Sequence, residues 1–141
     1  MRYLLDTNVL SEARRPRPDP QVTGWLSRQV PRDVAICVIT VIEIELGVLR
    51  AERRDPAAGA ALRRWFEKQV LTGFADRILS LDLAGARAAA PLHVPDPAPE
   101  RDALIAAVAL SRDLTVVTRN TADFVRTGAR CLDPWTDSPP I

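Results

Sequence analysis

Lysine is almost missing from this chain: Lys68 stands alone, and arginine supplies the rest of the positive charge. With 19 basic against 18 acidic residues the formal net charge is +1, so no global field draws the protein to nucleic acid. Arginine suits bidentate phosphate contact, yet its near-exclusive use also follows from the base composition of a coding sequence. Aromatic residues make up only 5% of the chain, and none is interleaved with the basic run Arg14, Arg15 and Arg17. That run therefore offers phosphate contacts or a solvated loop, but no stacking platform for single strands. Two cysteines, Cys37 and Cys131, are too few for a disulfide framework and fit a reduced, cytoplasmic protein. There is no charged leader ahead of a long apolar core and no apolar run of membrane-spanning length, so a soluble protein without a membrane partner is expected. The one histidine, His93, reads as a loop residue rather than a general base. What remains is ordinary: 141 residues, 47% hydrophobic and 26% charged, the size and composition of a single domain over residues 1–141.

Short apolar runs predict strands at Tyr3–Leu5, Val34–Ile39, Ile78–Leu81 and Thr115–Thr118, with a last short one near Ala129–Leu132. They do not alternate with polar residues, which implies burial on both faces, as in a parallel sheet. Helical stretches lie between them at Gln21–Gln29, Val41–Arg54, Ala57–Leu71, Leu83–Ala90 and Glu100–Ser111. The alternation predicts an α/β fold: a central, mainly parallel sheet of four or five strands flanked by helices. Pro16, Pro18 and Pro20 mark one loop. Pro91–Pro99 is the segment most expected to be extended or mobile, and residues 134–141 read as a poorly ordered tail.

Four carboxylates fall at strand ends or the helix starts beside them: Asp6, Glu43, Asp102 and Asp123. Each has a plain structural explanation. Thr40 and Glu43 have capping-box spacing, Asp102 lies in a helix's first turn, and Asp6 with Asn8 suits a turn or cap. Asp123 can cap or face water. Jointly they belong to one edge of the expected sheet, where ligands of open α/β folds bind. Clustered there, they would raise one another's pKa unless a hard cation compensated.

The stretches Leu4-Leu5-Asp6-Thr7-Asn8 with Ser11-Glu12, Ile39-Thr40-Val41-Ile42-Glu43 ending at Gly47, Asp102-Ala103-Leu104-Ile105-Ala106-Ala107, and Thr118-Arg119-Asn120-Thr121-Ala122-Asp123-Phe124 carry a resemblance. The sequence resembles the PIN-domain ribonucleases, most closely the VapC-type toxins of bacterial toxin–antitoxin pairs, including their FitB-like branch. One such motif is weak; four in the family's order, from residue 4 to residue 124, are specific. The resemblance implies an α/β/α PIN-like fold and a Mg²⁺- or Mn²⁺-dependent endoribonuclease. It makes Asp6, Glu43, Asp102 and Asp123 the catalytic set. Asp6 and Asp102 would be the principal metal ligands, Glu43 and Asp123 would complete the shell directly or through water, and Asn8, Thr118 and Asn120 would line the pocket. Glu45 points away from Glu43 on a helix, so at most one of them faces the pocket; the spacing to Gly47 favours Glu43. Glu12 either contributes or is solvated. The proline- and acid-rich stretch before Asp102 departs from the family pattern and places Asp96 and Glu100 near the site. RNA substrate, an antitoxin protein and a homodimer are the partners implied. Ile44, Val48, Leu62, Trp65 and Phe66 read as core, with a dimer face or antitoxin groove as the other use.

Two other enzyme classes share part of the pattern. A haloacid-dehalogenase-like phosphatase needs a second aspartate two residues after the first, where Asn8 stands. A phosphoacceptor receiver domain needs a lysine at a later strand end, and Lys68 lies in a predicted helix. The remaining alternative is a catalytically inactive PIN-like module that binds RNA or protein.

Overall fold

The structure, a computed structural model, describes residues 1–136. Five parallel strands form one sheet: β1 (Tyr3–Leu5), β2 (Val34–Cys37), β3 (Ile78–Leu79), β4 (Thr115–Val117) and β5 (Cys131–Leu132). Their order is β3-β2-β1-β4-β5, so β1 is central, with Tyr3 and Leu4 beside Val34 and Ala35 on one side and beside Thr115 and Val116 on the other. Every residue of β1, β2 and β4 is buried, and the period-two pleat divides them between two cores. Tyr3, Leu5, Val34, Ile36 and Val117 face one side. Leu4, Ala35, Cys37 and Val116 face the other.

The first side is covered by α1 (Thr7–Arg14), α2 (Pro20–Ser27), α3 (Val38–Arg54) and the helical extension that follows α4 (Pro56–Trp65). That extension, Phe66–Leu71, continues with a wider i→i+5 turn and buries Phe66 and Val70. On the second side lies α6 (Glu100–Ser111), whose Ala103, Ala106, Ala107 and Ala109 are fully buried; a helix apolar nearly all round and rich in alanine can approach the sheet closely. Phe124 of α7 (Thr121–Val125) joins it, and α5 (Leu83–Ala89) packs against α6.

Helix starts depart from expectation in an instructive way. Pro20 and Pro56, which punctuate the sequence, are the first residues inside α2 and α4, where a missing N–H is harmless. Asp19 accepts from the Gln21 amide and Asp55 from those of Ala57 and Ala58 as N-caps. The largest revision is at β2. The expected strand Val34–Ile39 ends at Cys37, and α3 begins at Val38, before the expected Val41. Thr40 is thus inside the helix, the capping box with Glu43 does not form, and the buried Thr40 hydroxyl has no hydrogen-bond partner. The short α7 was not anticipated. The start of the expected loose tail, residues 134–136, is a turn in which the Trp135 amide donates to Asp133 Oδ1; residues 137–141 lie outside the described residues. Within Pro91–Pro99, one helical turn spans Ala90–His93, and His93 Nδ1 accepts from the Ala98 amide at 3.1 Å, a loop-tying role. Among the described residues no helix is long and apolar enough to cross a membrane.

Candidate active site

Between β1 and β4 the chain reverses its direction of travel across the sheet: β2 and β3 are added on one side of β1, then β4 and β5 on the other. Such a switch point leaves a crevice at the carboxyl ends of the strands. Asp6 follows β1 directly, and its amide donates to the Val117 carbonyl at 2.9 Å, which extends the β1–β4 ladder into the crevice. The side chain is 6% exposed and serves as the N-cap of α1. Oδ1 accepts from the Thr7 amide at 2.8 Å. Oδ2 accepts from the Thr118 hydroxyl at 2.8 Å and from Asn8 Nδ2 at 3.4 Å. Thr118, fully buried at the end of β4, also accepts from the Asn120 amide and from Asn8 Nδ2, while Asn8 Oδ1 accepts from the Arg119 amide. Three residues, Thr7 and Asn8 beside it in sequence and Thr118 far along the chain, therefore hold one carboxylate in place.

The other carboxylates are held more loosely. Glu43 reaches in from the second turn of α3, and its Oε1 accepts from the Thr7 hydroxyl at 2.8 Å. Arg101 Nη1 lies 3.9 Å from Glu43 Oε2. Asp102 stands in the first turn of α6, partly buried. Asp6, Glu43, Asp102, Asn8 and Asn120 line one open cleft of about 540 Å³. Asp123, exposed on α7, is not part of the cleft wall, yet it lies near enough to act electrostatically on Asp6 and Asp102. Burial pushes the Asp6 carboxyl above its ordinary range, against the lowering effect of the Thr118 and Thr7 hydrogen bonds. Burial likewise raises Asp102, followed by the charges of Asp6, Asp123 and Glu43. Among the described residues neither Asp6, Asp102 nor Asp123 has a cationic side chain within ion-pair distance.

This donor set is all oxygen, which suits a hard divalent ion. Among the described residues no three acidic, histidine or cysteine side chains form a ready-made metal cage. Mg²⁺ needs no such cage, since one or two carboxylates with waters and substrate oxygens commonly hold it.

Glu45 and Glu12 have other employment. Glu45 Oε2 is 2.6 Å from Arg63 Nη1 on α4. Glu12 touches the cleft but is buried, accepting from the Asp19 amide at 2.9 Å and pairing with Arg15 at 3.3 Å. The Asp19 amide in particular holds its carboxyl below the ordinary range. Neither Asp96 nor Glu100 lines the cleft. The cleft also contains residues not singled out in the sequence: Thr7, Arg119 and Trp135. Thr7 and Arg119 sit inside recognisable motifs. Trp135 belongs to none, and only the chain's path beyond β5 brings it in.

A family model described as "PIN domain" matches residues 3–129. The chain is 37% identical to Toxin FitB of Neisseria gonorrhoeae, covering 95% of this chain and 99% of that one. It is 32% identical to a VapC ribonuclease of Sinorhizobium fredii, covering 94% and 96%. The crystal structure of FitAcB from Neisseria gonorrhoeae superposes with a TM-score of 0.85 at 36% identity, covering 94% of this chain and 98% of that chain.

Proposed function

The chain belongs to the PIN domain family, and on that premise we propose that it is a Mg²⁺- or Mn²⁺-dependent endoribonuclease acting as the toxin of a toxin–antitoxin pair. The observation that carries this reading is the convergence of Asp6, Glu43 and Asp102 in one cleft, with Arg101 at 3.9 Å from Glu43 as the nearest balancing charge. Gathering carboxylates in a half-buried crevice raises their proton affinity and is unfavourable unless a cation is to be held there. Similarity to a VapC ribonuclease and to Toxin FitB supports the activity and the biological role.

Asp6 and Asp102 are the principal ligands in this reading, with Glu43 and Asp123 reaching the ion directly or through water. A bound Mg²⁺ supplies acidity to a coordinated water and neutralises charge developing on the phosphate. The chain's own residues supply position. Thr118 and the Thr7 amide fix the Asp6 carboxylate, and the Thr7 hydroxyl fixes Glu43. Asn8 and Asn120 line the approach of the RNA phosphate. An antitoxin protein and a second copy of the chain are the protein partners. Ile42 and Leu49, exposed on α3 at 56% and 52%, are apolar surface that suits such contacts.

The inactive binding module remains the second reading because the described residues form no preformed metal cage. Metal-dependent turnover separates the two. The purified chain, free of antitoxin, is incubated with total cellular RNA and Mg²⁺ or Mn²⁺; EDTA and Asp6→Asn serve as controls. Discrete fragments that vanish in both controls are expected. Intact RNA with folded protein and either metal gives the case to the binding module.

A further inference from the structure

Next to the acidic cleft, and sharing Glu12, Arg15, Arg119 and Trp135 with it, lies a second hollow of about 220 Å³ that also takes in Arg17 and Asp19. Its character is the reverse of the first. Three arginines surround it, and the two acidic groups present are largely spoken for. Glu12 accepts from the Asp19 amide and pairs with Arg15, while Asp19 Oδ1 caps α2. The basic run is consequently not a free loop, because the buried Glu12 latches residue 19 and so fixes both ends of the segment carrying Arg15 and Arg17. Across the hollow the Arg119 guanidinium lies 5.1 Å from the centroid of the Trp135 ring. Trp135 is partly buried against the first core, and its amide is fastened to Asp133. Arg119 in turn is anchored through its amide to Asn8, which touches Asp6.

We propose that this hollow is a nucleotide subsite for single-stranded RNA, in which one unpaired base stacks on the Arg119–Trp135 layer while Arg15 and Arg17 hold the adjoining phosphates. The inference rests on the nuclease reading and deepens it. A planar guanidinium backed by an indole gives a flat cationic surface, the type of surface on which splayed RNA bases stack. The same side chain that stacks the base is tied by its backbone to Asn8, so a base seated there brings its own phosphate to the edge of the carboxylate cleft. A duplex cannot use the subsite, since its bases are already stacked on one another. The subsite therefore favours unpaired nucleotides in loops, bulges and single strands over a stem. Trp135 thus supplies the aromatic element that the basic run lacks in the sequence.

The test uses the full-length chain carrying Asp6→Asn, which preserves substrate, and follows fluorescence anisotropy of a labelled single-stranded RNA and of a hairpin stem of equal charge. Trp135→Leu removes the ring. Arg119→Lys keeps the charge but removes the plane, and guards against a folding defect at position 135. Each is expected to weaken single-strand binding by about 5-fold or more, the scale of one stacked base, with little change for the stem. In chains with Asp6 intact, both raise KM and spare kcat. Equal single-strand affinity in all three proteins, with cleavage intact, overturns the subsite alone. An Asp6→Asn chain that binds no RNA also overturns it. If the unmutated chain then cleaves none with either metal, the nuclease reading falls too.

Discussion

Glu43 and Glu45 stand two residues apart on α3 and meet opposite circumstances. Glu45, with Glu52 and Glu67, surrounds Arg63, whose guanidinium lies 2.6, 3.0 and 3.6 Å from the three carboxylates. The Glu52 and Glu45 hydrogen bonds push the Arg63 pKa up, and Arg63 in turn holds the Glu52 carboxyl below its ordinary range. Glu43 faces the other way, toward Asp6 and Asp102, where charge is gathered and Arg101, 3.9 Å from Glu43, is the one cation in ion-pair range of the three among the described residues. One cluster is balanced within the chain; the other, in the proposed reading, is balanced by a bound cation. Acidic residues close in space are therefore not informative in themselves. What distinguishes a structural group from a functional one is whether the chain provides the counter-charge.

The largest effect separating the two clusters is expected at Asp6. Asp6→Asn should reduce RNA cleavage by about 100-fold or more if Asp6 is the metal ligand proposed above, since several kcal/mol of metal-borne stabilisation would then depend on it. Folding should be preserved, because asparagine is an equally good N-cap; cleavage assays and thermal melts on one preparation check both. Thr118→Val removes the hydroxyl donor to Asp6 Oδ2. A loss of about 10- to 100-fold in activity or metal affinity is expected, as for ligand-orienting residues generally. The acid limb of the pH–rate profile should move to higher pH, since that hydrogen bond lowers the Asp6 pKa.

In the paired region the expected effects are on stability, with kcat unchanged. Gly59 sits where α4 crosses α3, and a Cβ there would approach Glu52 Cα to 2.3 Å. Gly59→Ala should cost about 1–3 kcal/mol by forcing the helices apart, read by urea denaturation. Arg63→Met should change stability only slightly, because its partners are well exposed and screened. A cleavage defect in Arg63→Met would erase the distinction between the two clusters. The smallest effect is in pH dependence of the metal-free chain. The raised folded pKa of Asp6 means its stabilising contribution is complete below the ordinary carboxyl value and is lost as pH rises through the raised one. The melting temperature of Asp6→Asn should therefore gain on that of the unmutated chain as pH rises toward neutrality.

Much of the sheet was legible because β1, β2 and β4 are short, wholly apolar and bounded by polar residues, the pattern of strands covered on both faces. Asp6 and the 118–123 stretch stood out in the sequence as following β1 and β4, and Asp102 as a first-turn residue of a helix. The boundary at Val38 was not. Val38-Ile39-Thr40-Val41-Ile42 has strand composition throughout, yet tertiary packing makes it helical, with Ile39 buried in one core and Ile44 in the other. Once Thr40 is placed inside that helix, the capping box has no N-terminus to cap. Trp135 carried no local signal, since its place in the cleft depends on where β5 releases the chain.

Asp6 and the Thr118 hydroxyl that secures it are 112 residues apart, and the Arg119–Trp135 layer is supplied by still later residues. A domain folds as a unit, and this sheet cannot be completed until its last strands have been made. Asp6 and Glu43 are synthesised early, but the crevice has no second wall until β4 docks beside β1. For most of its synthesis the polypeptide thus lacks a complete crevice, which forms late and all at once. With RNA as the proposed substrate, strand order alone would delay any attack on the RNA around the ribosome making the chain.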